Sequence, residues 1–283
     1  MNELWKAAGA AAWGAASLSG LQPFLAPAAA EKLAELCPNA QGVLVAAFPY
    51  YAGQAPGNLS LYCRGEDYHQ VLARRLGGVC RALEERYPGH TFVPGADNSP
   101  VPELAAAELA GVGHRGRHGL RIVPPYGSYV FLGTILTDLP LSSTGPAAGT
   151  LCPENCRACQ RACPTGALTE TGCQVSKCLS ELTQQKGELP PTVEEQIRKS
   201  PTVWGCDLCQ RACPWNQKAA LSPLPEFRED LTPSLTLEEL ADLSNKAFRR
   251  RYADRAFAWR GIGPLRRNLT LQEGENPSPG EEP

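Results

Sequence analysis

No run of about eighteen apolar residues occurs in this 283-residue chain, so no membrane-spanning helix is expected. Neither sign of charge dominates. The chain has 27 basic and 29 acidic side chains, a net charge of −2. That balance argues against a protein that coats nucleic acid wholesale, but leaves room for a local basic patch. Histidine is scarce, four in all, and none sits beside the cysteine runs of the second half. This weighs against a zinc site of the Cys–His kind. No internal repeat appears beyond those two runs. Hydrophobic content of 43% and charged content of 20% are ordinary for a globular protein. The length suits one large or two modest domains that build their own core and need no disulfide staples.

What the chain does have is cysteine. The first run is Cys152-Pro-Glu-Asn-Cys156-Arg-Ala-Cys159-Gln-Arg-Ala-Cys163-Pro164. The second is Cys206-Asp-Leu-Cys209-Gln-Arg-Ala-Cys213-Pro214, and Cys178 lies between them. Two short runs ending in Cys-Pro are the ligand pattern of a pair of 4Fe–4S clusters. A C-x2-C turn points two thiolates to one side of a tight loop, and the last cysteine turns away toward the other cluster. The expected sets are therefore Cys152, Cys156, Cys159 and Cys213 for one cluster, and Cys163, Cys178, Cys206 and Cys209 for the other. The first gap is one residue longer than usual, so the loop at Pro153–Asn155 is expected to bulge. Reduced thiolates imply a cytoplasmic location. Cys37, Cys80 and Cys173 read as plain core or surface thiols.

Ahead of the cysteines the pattern is mixed. A first helix (about Asn2 to Ala10) and a strand (Ala12 to Ala16) are expected, which reads better than a leader peptide cleaved near Ala26-Pro27-Ala28. Gly42–Phe48 is a continuous apolar run, hence a buried strand. Asp67 opens an amphipathic helix with Val71, Leu72, Leu76, Val79, Cys80 and Leu83 on one face, ended by Pro88-Gly89. Thr91–Val93 reads as a strand. A helix from Pro100 to Ala110 is expected, capped by Ser99. Arg121–Val123 and Tyr129–Leu132 read as strands. The expected layout is an α/β (α+β) segment over 1–141, a cluster segment over 142–225, a helical basic segment over 226–271 with helices at Leu235–Leu243 and Lys246–Arg255, and a disordered acidic tail over 272–283.

Several strings carry a family resemblance. They are Gly65-Glu-Asp67-Tyr68-His69, Ala96-Asp97-Asn-Ser-Pro100-Val-Pro-Glu103, Gly111-Val-Gly113-His-Arg-Gly116-Arg117, Gly127-Ser128-Tyr-Val-Phe-Leu132-Gly133, Cys178-Leu-Ser180-Glu-Leu-Thr183, Gly205-Cys206-Asp-Leu-Cys209-Gln210 with Cys213-Pro214-Trp215-Asn216, and Arg266-Arg267-Asn268. In this order they resemble the epoxyqueuosine reductases. The resemblance implies a nitroreductase-like domain holding base-off cobalamin, followed by a bacterial-ferredoxin-like domain with two 4Fe–4S clusters. It implies reduction of epoxyqueuosine to queuosine in the anticodon stem-loop of tRNA, with flavodoxin or ferredoxin as electron donor.

The resemblance also makes Asp97 the proton donor, which would require a pKa raised by burial against the corrin. It places Ser128 and Ser180 near the cofactor; Cys63, just before the helix opened by Asp67, reads either as a small buried residue or as a cofactor contact, and His69 is expected to make a structural hydrogen bond and not to bind cobalt. Arg249, Arg250, Arg251, Arg255, Arg260, Arg266 and Arg267, with His114, Arg115 and Arg117, form a candidate RNA surface. The chain departs from the family pattern at His114, Arg117, His118 and Glu181, and it resembles a short form without C-terminal helical repeats. The competing readings are the same cofactor chemistry on a smaller substrate, and a non-enzymatic two-cluster electron carrier.

Overall fold

The structure, a computed structural model, describes residues 1–145, 149–170 and 172–274. At its centre is a four-stranded sheet in the order Ala12–Ser17, Gly42–Pro49, Val130–Thr137, Phe92–Gly95, with every neighbouring pair antiparallel. The strand Gly42–Pro49 is buried along its whole length. That is why it reads as an unbroken apolar run and not as an alternating one: both its faces are covered. Leu44, Ala46 and Phe48 face the helix Tyr68–Arg86 through Val71, Leu72, Leu76, Val79 and Leu83. Val43, Val45 and Ala47 face the helices Pro27–Leu36 and Glu103–Leu109 through Leu33, Ala106 and Ala107. The result is a three-layer α/β sandwich.

Several boundaries differ from the sequence reading. The strand predicted at Tyr129–Leu132 continues to Thr137. Gly133 masks it. A Cβ there would lie 3.0 Å from Leu76 and 3.1 Å from Phe48, so glycine lets the long helix sit close on the sheet. The helix expected from Pro100 starts at Glu103, because Pro102 disfavours helical backbone at Val101. Ser99 instead accepts a hydrogen bond from the Val101 N–H at 3.1 Å. The first helix ends at Ala7, and Pro27 opens a helix. The C-terminal helices are Leu237–Ala241 and Asn245–Arg251, followed by Ile262–Glu273, which the sequence reading missed. Of the predicted acidic tail, 275–283 lies outside the described residues.

A second core joins distant parts of the chain. Leu59 and Cys63 pack with Val203, Trp204, Phe248, Phe257, Leu265 and Leu269. Ile262–Glu273 has no side-chain cap, no acidic residue in its first turn and no basic residue in its last, so tertiary packing holds it.

Candidate active site

The two cysteine runs fold alike. Each forms a short helix, Ala158–Ala162 in the first and Leu208–Arg211 in the second, and each ends in Cys-Pro. The extra residue of the first run is absorbed in a turn in which the Cys156 N–H donates to the Pro153 carbonyl at 3.0 Å. Cys213 of the second run is an electrostatic neighbour of Cys152, Cys156 and Cys159. Cys163 of the first run and Cys178 are both neighbours of Cys206 and Cys209. Among the described residues, no group of three His, Cys, Asp or Glu side chains is placed to hold a single metal ion. A cubane spreads its four thiolates around itself and needs no such convergence. Burial pushes the Cys206 thiol up to about 11 and the Cys209 thiol up strongly, with neighbouring thiols adding to the rise. Such groups ionise when iron binds. The donor sets fit two clusters.

Cys173 stands next to Cys178 and raises the number of thiols around the second set.

A different chemistry gathers where the strand Phe92–Gly95 ends and the helix Tyr68–Arg86 begins. Asp97 has a left-handed backbone, φ +57°, a conformation that aspartate tolerates better than most residues. Its N–H donates to Glu103 Oε1 at 2.7 Å, and its Oδ2 accepts from the Tyr68 hydroxyl at 2.5 Å. His69 bridges two carboxylates, with Nδ1 2.8 Å from Asp67 and Nε2 3.4 Å from Asp97. Hydrogen bonds to Asp67 and then Asp97 lift the His69 pKa to about 9. The hydrogen bond from His69 is the main influence holding Asp97 below the ordinary carboxylate range. Burial lifts Glu103 to about 7. In the chain by itself Asp97 is held low, because His69 and Tyr68 stabilise its anion and outweigh its burial, and the proton resides on His69; the expected rise belongs to burial against a bound corrin.

Tyr68, His69, Asp97 and Glu103 line a cavity of about 660 Å³, together with Glu181, Gln184 and Trp259. An adjoining cavity of about 450 Å³ reaches Cys163, Cys178, Cys206 and Cys209. Tyr62, Leu104, Leu120, Val130, Phe131 and Ser180 line both, so the two form one cleft with largely apolar walls. Ser128 lines the inner part and Ser180 both parts. Cys63 lines neither. It is fully buried, with its thiol 3.2 Å from the Ser60 carbonyl.

Ser128 also has a role that the sequence did not disclose. Its Oγ accepts from Asn216 Nδ2 at 2.8 Å and from Gln210 Nε2 at 3.2 Å, and its N–H donates to Asn216 Oδ1 at 2.7 Å. Asp207 is 2% exposed and accepts from the Ser60 hydroxyl at 2.5 Å and the Leu61 N–H at 2.8 Å. The polar residues between the second-run cysteines thus fasten that loop to the sheet domain.

His118 is 4% exposed, and burial drops its pKa to about 4. It borders the inner cleft and also a small cavity formed with Cys152, Cys156, Cys159 and Cys213.

The arginine surface divides in two. Arg255 pairs with Asp230 at 2.8 Å and Asp254 at 2.6 Å. Arg266 donates to the carbonyls of Leu240, Ala241 and Leu243, and Arg267 to those of Gln185 and Gly187. These three are structural, a correction to their assignment to an RNA surface. Arg249, Arg250 and Arg251 are exposed. Arg260 lies over the ring of the exposed Trp259, 3.8 Å from its centroid. Arg117 is turned to the first cysteine run, donating to the Glu154 carbonyl at 2.7 Å.

Comparison with known proteins agrees with this geometry. Residues 152–216 match the family described as 4Fe-4S double cluster binding domain, and residues 31–97 match Epoxyqueuosine reductase QueG, DUF1730. The epoxyqueuosine reductase of Gloeobacter violaceus is 36% identical over 272 residues, covering 90% of this chain and 83% of that protein. That of Listeria monocytogenes is 38% identical over 215 residues, covering 73% of this chain and 54% of its own length. The match thus spans about half of that relative. A Bacillus subtilis epoxyqueuosine reductase structure, its catalytic aspartate loop swung out of the active site, superposes with a TM-score of 0.80 at 28% identity, over 96% of this chain and 80% of that one. A structure of epoxyqueuosine reductase with an epoxyqueuosine-modified tRNA-Tyr stem loop gives the same TM-score, identity and coverage. By fold, by cysteine pattern and by sequence, the chain belongs to the epoxyqueuosine reductase family.

Proposed function

We propose that this chain reduces epoxyqueuosine to queuosine in tRNA, in the cytoplasm, with two 4Fe–4S clusters and base-off cobalamin as its cofactors. The observation that carries this reading is the single cleft joining the Asp97–His69 pair to Cys163, Cys178, Cys206 and Cys209. The relative with a bound stem loop supports tRNA as the substrate. Cys152, Cys156, Cys159 and Cys213 would hold one cluster and Cys163, Cys178, Cys206 and Cys209 the other. Ser128, Ser180 and the apolar walls of the cleft would border the corrin. His69 has both ring nitrogens engaged by carboxylates, which supports a cobalt without a histidine ligand. The sheet segment 1–141, the cluster segment 142–225 and the basic segment 226–271 are the corresponding functional divisions.

Bound, these groups supply low-potential electrons, received from flavodoxin or ferredoxin, and a reactive cobalt centre. The overall conversion takes two electrons and two protons; both epoxide C–O bonds break, a C=C bond forms, and oxygen leaves as water. The chain's part is the acid chemistry. At neutral pH the proton rests on His69 Nε2. Asp97 Oδ2 relays it to the departing oxygen, and Tyr68 and Glu103 hold the carboxylate and its backbone in place. The exposed arginines Arg249 to Arg251 and the Trp259 ring would receive phosphates and an unpaired base.

The test is conversion in a host lacking its own reductase, paired with iron and cobalt analysis of protein purified without oxygen. Restored queuosine with both metals present supports the reading; unchanged tRNA rejects it.

A further inference from the structure

We propose that His118 donates its Nε2–H to a sulfur of the cluster held by Cys152, Cys156, Cys159 and Cys213, and so raises the reduction potential of that cluster. The inference rests on the cluster assignment above and is independent of the tRNA substrate.

Three observations converge on it. The tautomer is fixed by geometry. His118 Nδ1 lies 3.1 Å from the Leu120 backbone nitrogen and accepts its N–H, so the ring proton is on Nε2. That Nε2 is buried and has no hydrogen-bond partner among the described residues. A buried donor without an acceptor is disfavoured, so an acceptor belongs there. The ring lines the small cavity shared with Cys152, Cys156, Cys159 and Cys213. The chain beside it already addresses the same set, with the Arg117 backbone N–H directed at Cys152 Sγ, 3.4 Å away. A Cβ on Gly116 would meet His118 Cε1 at 2.5 Å, so the backbone packs directly on the ring and limits its rotation.

Sulfur is the acceptor that such a pocket would supply. Hydrogen bonds to cluster sulfurs are among the factors that set cluster potential. They stabilise the reduced form, which carries the extra negative charge, and so raise the potential. The four cysteines of this set do not line the cleft that holds Asp97. A raised potential there favours capture of an electron at the cluster away from the substrate.

The test is an EPR-monitored redox titration of the anaerobically prepared full chain. The signal lost in Cys156→Ser marks the cluster in question. His118→Leu, which removes the donor, should shift the midpoint of that cluster downward and leave the other in place. His118→Gln, which keeps a donor, should restore most of the shift. An unmoved midpoint, a shift of the other cluster, or a Gln variant no different from the Leu variant would overturn the proposal. Pulsed EPR of wild-type protein labelled with 15N-histidine gives a check that needs no loss of the side chain. A nitrogen coupling on that cluster, absent in His118→Gln, is expected, and its absence from the wild type would refute the hydrogen bond even if His118→Leu failed to take up iron.

Discussion

In the proposed reaction Asp97 and His69 divide a task that the sequence assigned to Asp97 by itself. With its pKa at about 9, His69 is cationic at neutral pH, and Asp97 beside it is anionic. The His69 pKa is raised above its unfolded value of about 6.5. Its contribution to stability is therefore complete below that value and is lost as pH rises through about 9. Turnover should fall over the same alkaline range, and a pH profile would show it. Asp97→Asn tolerates the φ +57° backbone but removes the anion. It should lower turnover about 10²- to 10⁴-fold and bring the His69 pKa down, as followed by NMR titration.

Glu103 acts in the same direction at lower pH. Its folded pKa of about 7 exceeds the ordinary glutamate value of 4.5, so folding stability declines as pH rises between these values and then levels off. Glu103→Gln keeps an acceptor for the Asp97 N–H. It should be more stable than wild type at pH values above about 7, and urea denaturation on both sides of that value would measure the difference.

At the scale of elements, the second cysteine loop is held by side chains that bind no metal. Asp207→Ala would leave the buried Ser60 hydroxyl and Leu61 N–H without their acceptor, at a cost of about 1–3 kcal/mol. Asp207→Asn should cost less. Chemical denaturation separates the two, and iron per chain should fall with the alanine variant. Gly127 is the other half of this fastening. Its φ is +62°, and an added Cβ would stand 2.0 Å from Asn216 Oδ1, so Gly127→Ala should loosen the cluster loop from the sheet. The elements that escaped sequence reading share a cause. Val130–Thr137 is interrupted by a glycine whose purpose is close helix packing. Ile262–Glu273 is held by Leu265 and Leu269 in a core completed by Leu59 and Trp204. No local signal announces partners that lie so far away along the chain.

Across the whole molecule, the proposed ligand sets each draw on both runs, so substitutions should sort by site and not by position in the chain. Cys213→Ser should abolish the EPR signal that Cys156→Ser abolishes, and Cys163→Ser the one that Cys206→Ser abolishes. A pairing by run would contradict the assignment. RNA binding should likewise split by mechanism. Replacing Arg249 and Arg250 by alanine should flatten the salt dependence of stem-loop binding, the slope falling by about 0.7 for each single-strand phosphate no longer neutralised. Trp259→Ala should weaken binding about tenfold with the slope unchanged. Fluorescence anisotropy over a range of salt concentrations distinguishes these outcomes.

Cysteine spacing is a local property, and the double-cluster segment and the turn absorbing the extra residue were both legible in it. The family strings were legible too, because they are fixed side by side along the chain. What only the tertiary structure decided depends on groups brought together from afar. The contact with His69 sets the protonation of Asp97, Arg255, Arg266 and Arg267 are spent on carboxylates and carbonyls inside the fold, and Gln210 and Asn216 reach Ser128. A pKa or a hydrogen bond belongs to an environment, and folding makes that environment.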